Sequence, residues 1–172
     1  MEGKSFEKIS VYELESAAKL IGKDWMLITA KDESKGTVNA MTASWGALGV
    51  LWNKPIATCF IRPQRYTCGL AEQNERLSLA FLGEEYRAAL RLCGTKSGRD
   101  CDKLAEAGLT CSELDGVPVI AEAELVLICR KLYADDIKKD CFLDEALLGN
   151  YPEEDYHRIY VCEIEGAYRK IG

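Results

Sequence analysis

The sequence predicts a mainly β domain, an antiparallel barrel with a few peripheral helices. Two observations carry that reading. Apolar runs of strand length outnumber the helical patterns, and they follow one another through polar or glycine-bearing turns, as hairpins do. Long helices do not alternate with them, which disfavours a doubly wound parallel sheet. With 172 residues, 48% of them hydrophobic, the chain can bury a core without covalent staples. It shows no linker, repeat or low-complexity tract, so residues 1–172 read as one domain.

Ser10 opens the first helix, with Glu13 completing a capping box. Leu14, Ala17, Ala18 and Ile21 follow at helical spacing, and Gly22 supplies the stop. Trp25 to Ala30 reads as a strand, Lys31 to Gly36 as a polar turn, and Thr37 to Thr42 as the returning strand. Ser44 to Asn53 holds two glycines and two tryptophans and fits either a ligand-facing backbone or a buried loop. Ile56 to Ile61 is a near-continuous apolar strand ended by Arg62-Pro63. A short helix from Thr67 to about Arg76 precedes a strand from Leu77 to Leu82.

Glu84 to Cys93 is a second amphipathic helix, with Gly94 as its stop. Asp102 to Ala107 is a third, stopped by Gly108. Ile120 to Tyr133 reads as one long strand, Phe142 to Leu148 as a short helical or extended segment, and Tyr156 to Tyr168 as the closing strand.

Composition excludes several classes. A net charge of -6 argues against nucleic acid, whose phosphates want a basic surface. No apolar stretch approaches the roughly 18–20 residues that span a bilayer, and the polar start Met1-Glu-Gly-Lys lacks a signal region. A cytoplasmic location is the default expectation. The eight cysteines show no C-x-x-C spacing and His157 is the only histidine, so a zinc site lacks its signature; the thiols read as reduced packing residues.

Gly94-Thr-Lys-Ser-Gly98 lacks the glycine that precedes the lysine of a P-loop, and no G-x-G-x-x-G marks a dinucleotide fold. Trp45 and Trp52 read as core or interface residues, and His157 as a satisfied structural histidine. The chemistry concentrates between Thr37 and Thr67. There an apolar run ends in Asn39, Thr42 and Ser44, another ends in Arg62 and Arg65, and Thr67 stands where a helix begins. Guanidinium forks beside a helix N-terminus suit a phosphorylated ligand.

The same residues carry a resemblance. Asn39-Ala-Met-Thr-Ala-Ser44, Arg62-Pro-Gln-Arg-Tyr-Thr67, Cys93-Gly-Thr-Lys-Ser-Gly-Arg-Asp-Cys-Asp-Lys103 and Asp155-Tyr-His-Arg-Ile-Tyr160 occur in one order. Together they resemble the flavin reductase-like, FMN-binding split-barrel family, in particular its flavoredoxin branch. The resemblance implies a Greek-key split barrel that forms a homodimer, with FMN near the subunit interface. It implies that Asn39, Met41, Thr42, Ala43, Ser44 and Trp45 line the isoalloxazine and ribityl region. Arg62, Arg65, Tyr66 and Thr67 would hold the phosphate end, with Ser97 adding a contact. Flavin does the electron chemistry itself, so no protein catalytic group need stand out. The expected activity is transfer of electrons from NAD(P)H through FMN to a small acceptor. The alternatives are an electron carrier between partner proteins and a flavin-binding module without redox turnover.

Overall fold

The computed structural model describes residues 5–14 and 16–171. The polar start read at Met1–Lys4 lies outside the described residues, as do Glu15 and Gly172.

The described residues form ten strands and four α-helices. Strand β1, Ser5–Ile9, was not anticipated; it pairs antiparallel with the far end of the last strand. The capping box forms, with Ser10 Oγ accepting from the Tyr12 N–H and Glu13 Oε1 from the Ser10 N–H at 3.1 Å. It caps only one turn, Val11–Glu13, because Leu14 then turns extended. Ser16 caps a second start, Ala17–Lys19 (α1), which widens into the turn Leu20–Asp24. The single helix expected from Ser10 to Gly22 is therefore two short ones. Gly22 lies inside the second, and Trp25, at φ 66°, ends it in place of starting a strand.

Strands β2 (Met26–Asp32) and β3 (Thr37–Ala43) form the expected hairpin. The ambiguous stretch is strand β4, Gly46–Leu51, joined to β5, Lys54–Ile61, by the two-residue turn Trp52-Asn53. Both turn residues have positive φ, 52° and 56°, as the tightest hairpin turn requires. Helix α2 (Tyr66–Gln73) leads to β6 (Arg76–Phe81), and α3 (Arg87–Thr95) follows. Gly94 is inside α3 and does not stop it. Helix α4 (Lys103–Ala107) ends as predicted at Gly108, φ 66°.

A small hairpin, β7 (Cys111–Leu114) with β8 (Val117–Ile120), was missed. The long strand expected from Ile120 is split: Ile120 closes β8, and β9 begins only at Leu125 and runs to Asp136. Short 3-10 helices at Lys139–Cys141 and Glu145–Asn150 precede β10, Arg158–Ile171.

The main sheet runs β3-β2-β6-β9-β10-β5-β4, all antiparallel, with β1 beside the second half of β10. Its edges are β3 and β4, yet only Ser44 and Trp45 connect them. Three residue steps reach at most about 11 Å. Two opposite edges can lie that close only if the sheet curls into a barrel left unpaired along one seam. Strands β5 and β6 are separated by β10 and β9, so the connection bearing α2 must pass over a barrel end.

The barrel interior is filled from every wall, by Met26, Met41, Cys59, Leu77, Leu127 and Tyr160 among others. On the outer face, Leu27, Ala40, Ala80 and Val126 pack under Leu90 and Cys93 of α3, Leu104 of α4 and Val119 of β8. Strands buried on both faces lose the in–out alternation, and β2 and β6 are accordingly buried at nearly every position, Thr29 and Ser78 included. Five of the eight cysteines (59, 68, 93, 129 and 162) are buried, as packing residues should be. No helix among the described residues is long and apolar enough to cross a membrane.

Candidate functional site

The seam places side chains at one mouth of the barrel. Met41, Thr42 and Ala43 come from the end of β3, Ser44 and Trp45 from the link, and Phe60 from β5. With Arg62, Arg65 and His157 they line a cavity of about 270 Å³. Thr42 donates its hydroxyl to the Leu90 carbonyl at 2.5 Å, which ties β3 to α3. Gly46, next in the chain, must be small: a Cβ there would stand 2.9 Å from the Thr58 carbonyl oxygen.

Arg62 is already engaged. Its guanidinium pairs with Asp155 at 2.5 Å, donates to the Asn150 carbonyl at 2.8 Å and sits 5.1 Å over the Tyr151 ring. His157 is buried, its Nδ1 2.8 Å from the Tyr151 hydroxyl and its ring 5.0 Å from that of Trp45. Desolvation, reinforced by the Arg62 charge, pushes its pKa down to about 4. It is thus a neutral, partnered histidine, as the sequence suggested, but one that also faces the cavity. Trp45 is 44% exposed and not a core residue.

Arg65 is shared with a second cavity of about 220 Å³, which Tyr66, Thr67 and Ser97 also line. The structure therefore brings Arg65, Tyr66, Thr67 and Ser97 together, while Arg62 faces the first cavity only. Asn39 lines neither; its amide donates to the Thr67 hydroxyl at 2.8 Å, so it touches the site through Thr67. Gly98 packs against Asn39 and Tyr66: a Cβ would fall 2.0 Å from Asn39 Oδ1 and 2.9 Å from the Tyr66 ring.

The second cavity is rich in cations, one of which, Lys96, is paired with Glu106. It is lined by Arg65, Lys96, Arg99 and Lys103 and by no carboxylate. Helix α2 starts there with no side chain capping its N-terminus, so its dipole adds to the positive field. Two of the cations are held by the C-terminal carbonyls of α3. Arg65 donates to Gly94 at 2.8 Å and to Cys93 at 3.2 Å, and Lys103 Nζ to Cys93 at 3.1 Å. Those carbonyls are the ones a helix end leaves unpaired. Burial lowers the pKa of both cations, Lys103 to about 8. Phe60, His157, Lys96, Arg99 and Lys103 were not among the predicted site residues. For Lys103 a signal existed, its place in the Cys93–Lys103 stretch.

A family model described as the flavin reductase like domain matches residues 19–170. The chain belongs to this family. Solved structures of similar architecture include an FMN-binding domain of a flavin reductase-like enzyme from Shewanella baltica, with a TM-score of 0.70. It is 17% identical, over 98% of this chain and 79% of that one. Flavoredoxin from Methanosarcina acetivorans matches with a TM-score of 0.66 at 22% identity, over 85% and 68% of the two chains. The styrene monooxygenase flavin reductase of Pseudomonas putida gives 0.63 at 15%, over 88% and 81%. At such identities these likenesses establish the split-barrel fold alone. No curated protein sequence matches the chain.

Proposed function

We propose that this flavin reductase-like chain binds FMN and acts as an oxidoreductase, passing electrons from NAD(P)H to a small acceptor. One observation carries the reading. In a chain of net charge -6, a cavity walled by small polar and aromatic groups joins, at Arg65, a cavity walled by four cations and no carboxylate. The donor set fits a planar ring system at one end and a phosphate dianion at the other.

Met41 to Trp45 would border the ring, with Trp45 and Phe60 excluding water. Arg65, Thr67 and Ser97 would hold the phosphate with the first N–H groups of α2, and Tyr66 would close its side. Asn39 fixes the Thr67 hydroxyl. Arg62, neutralised by Asp155, holds the wall beside the ring. Bound FMN supplies the electron transfer itself, which asks no acid or base of the protein. His157, neutral at physiological pH, gives this wall a polar edge without a charge.

A second reading, a carrier between two proteins, has its own observation. Between Asp135 and Asp155 the chain carries eight carboxylates against two lysines, and Leu143 within that stretch is fully exposed. Such a surface suits a basic protein partner. Anaerobic stopped flow separates the two readings. NADH or NADPH should bleach the bound flavin at a rate that saturates with coenzyme. Bleaching by dithionite alone would leave the carrier.

A further inference from the structure

His157 meets the protein with one ring nitrogen and the ring-side cavity with the other. Its Nδ1 lies 2.8 Å from the Tyr151 hydroxyl. Nε2 bonds no atom of the described residues and is not sealed among them, so it opens onto the cavity that His157 lines. We propose that Tyr151 is a positioning residue: it fixes His157 as the Nε2–H tautomer and so presents a neutral hydrogen-bond donor to the occupant of that cavity. The inference rests on the flavin reading of the site.

The assignment follows from counting protons. A phenol has one proton to give, and a neutral imidazole has one donor nitrogen and one acceptor nitrogen. Tyr151 is buried, and His157 Nδ1 is the one partner its hydroxyl has among the described residues. Were the imidazole proton on Nδ1, it would go to the phenol oxygen and leave the phenol proton buried and unpaired. That penalty favours the opposite arrangement by about tenfold or more. The phenol therefore donates to Nδ1, and the imidazole proton sits on Nε2. With a pKa near 4, His157 is neutral at pH 7 and Nδ1 keeps its lone pair. Burial raises the Tyr151 pKa, so the phenol keeps its proton.

Each member of the pair is itself held. Tyr151 follows the short helix Glu145–Asn150, and its N–H donates to the Leu148 carbonyl at 2.9 Å. Its ring packs 4.9 Å from that of Tyr156 and 6.0 Å from that of Phe142, with the Arg62 guanidinium 5.1 Å away. Arg62 also bonds Asp155 and the Asn150 carbonyl, which flank Tyr151 in the chain. The His157 carbonyl accepts from the Ile137 N–H at 2.9 Å, and its ring lies against Trp45 and edge-on to Phe60. A donor aimed before its ligand arrives has little freedom left to lose on binding.

His157 is the only histidine, so long-range 1H–15N NMR of the full-length 15N-labelled protein reads its two ring nitrogens without ambiguity. In flavin-free wild type, Nε2 should be the protonated, pyrrole-type nitrogen and Nδ1 a pyridine-type nitrogen that accepts a hydrogen bond. A protonated Nδ1 overturns the proposal with no variant needed. Tyr151→Phe should move the Nδ1 resonance toward that of an unbonded pyridine-type nitrogen, and an unmoved Nδ1 also overturns it. FMN is then added, followed by benzamide, a planar molecule whose carbonyl accepts hydrogen bonds. A shift of Nε2 and its proton with FMN assigns the donor to the flavin ring. A shift that awaits benzamide assigns it to the molecule that meets the ring. No shift at either step, with FMN bound, overturns the donor role. Tyr151→Phe should weaken whichever ligand shifts Nε2 by about 3- to 10-fold, and where that ligand is FMN, riboflavin should lose as much. Unchanged affinity refutes the positioning. Failure of FMN to bind would instead sink the flavin reading, while the flavin-free spectra still decide what Tyr151 does to His157.

Discussion

Arg65→Ala tests the site most directly, because Arg65 alone lines both the ring-side and the phosphate-end cavities. The side chain has two jobs that the structure separates. Toward the fold, it gives two hydrogen bonds to the last carbonyls of α3, at 2.8 and 3.2 Å. Losing a charge-assisted bond at a helix C-terminus costs about 1.5–3 kcal/mol. For a chain of this size each kcal/mol lowers Tm by roughly 2–4 °C, so a fall of about 3–12 °C is expected. Toward the ligand, on the function proposed above, the guanidinium would meet a phosphate that riboflavin lacks. Removing it should weaken FMN by about 1.5–3 kcal/mol, roughly 10- to 150-fold, and leave riboflavin nearly unchanged. Fluorescence titrations with both flavins, run well below the variant's melting temperature, read the difference. Equal losses for FMN and riboflavin would show that Arg65 acts only by holding α3. A wild type that binds both flavins equally would sink the phosphate assignment altogether.

Two further outcomes are expected. His157 has a folded-state pKa of about 4 against about 6.5 unfolded, so the unfolded chain takes up the proton first as pH falls. Its contribution, about 3 kcal/mol, is complete above pH 6.5 and is lost between there and pH 4. Urea melts at pH 7 and 4.5 should show His157→Phe losing less stability than wild type over that interval; equal losses would refute the assignment. We also propose a homodimer through the edge strand β4, where Val50, Leu51 and Trp52 are 65%, 41% and 55% exposed. Val50→Lys should then yield monomers that hold flavin less tightly, and flavin should tighten the wild-type dimer. A monomer fully loaded with flavin in sedimentation would contradict this.

The β2–β3 hairpin and the three main helices could be read from the sequence because their signals are local. What escaped depended on partners distant in sequence. Strand β4 shows no alternation because much of it faces outward, and its turn uses Trp52-Asn53 where glycine would have announced it. The break after Ile120 contains neither Gly nor Pro. It is held by remote bonds, from the Ala121 N–H to the Thr110 carbonyl and from the Glu124 N–H to the Phe81 carbonyl. Helix α3 continues through Gly94 while Arg65 and Lys103 take up its final carbonyls, a tertiary cap that no local pattern encodes. In the site, Arg65, Tyr66, Thr67 and Ser97 meet as the motif suggested. Arg62 faces elsewhere because Asp155, 93 residues away, claims it. Lys103 escaped because lysine in a short helix ordinarily points to solvent.

The link Ser44-Trp45 is two residues long, and it stitches opposite sheet edges while lining the candidate site. Such a stitch makes chain length itself a constraint. The Glu33–Gly36 turn lies at the far end of the β2–β3 hairpin from this link, and extra residues there would leave the seam itself unchanged. The same residues inserted between Ala43 and Gly46 would slacken the seam, let the barrel mouth widen, and pull Met41 and Trp45 away from Phe60. Variation among relatives should therefore be generous in hairpin tips and nearly forbidden in the stitch. Here the length of a connection carries as much information as the residues in it.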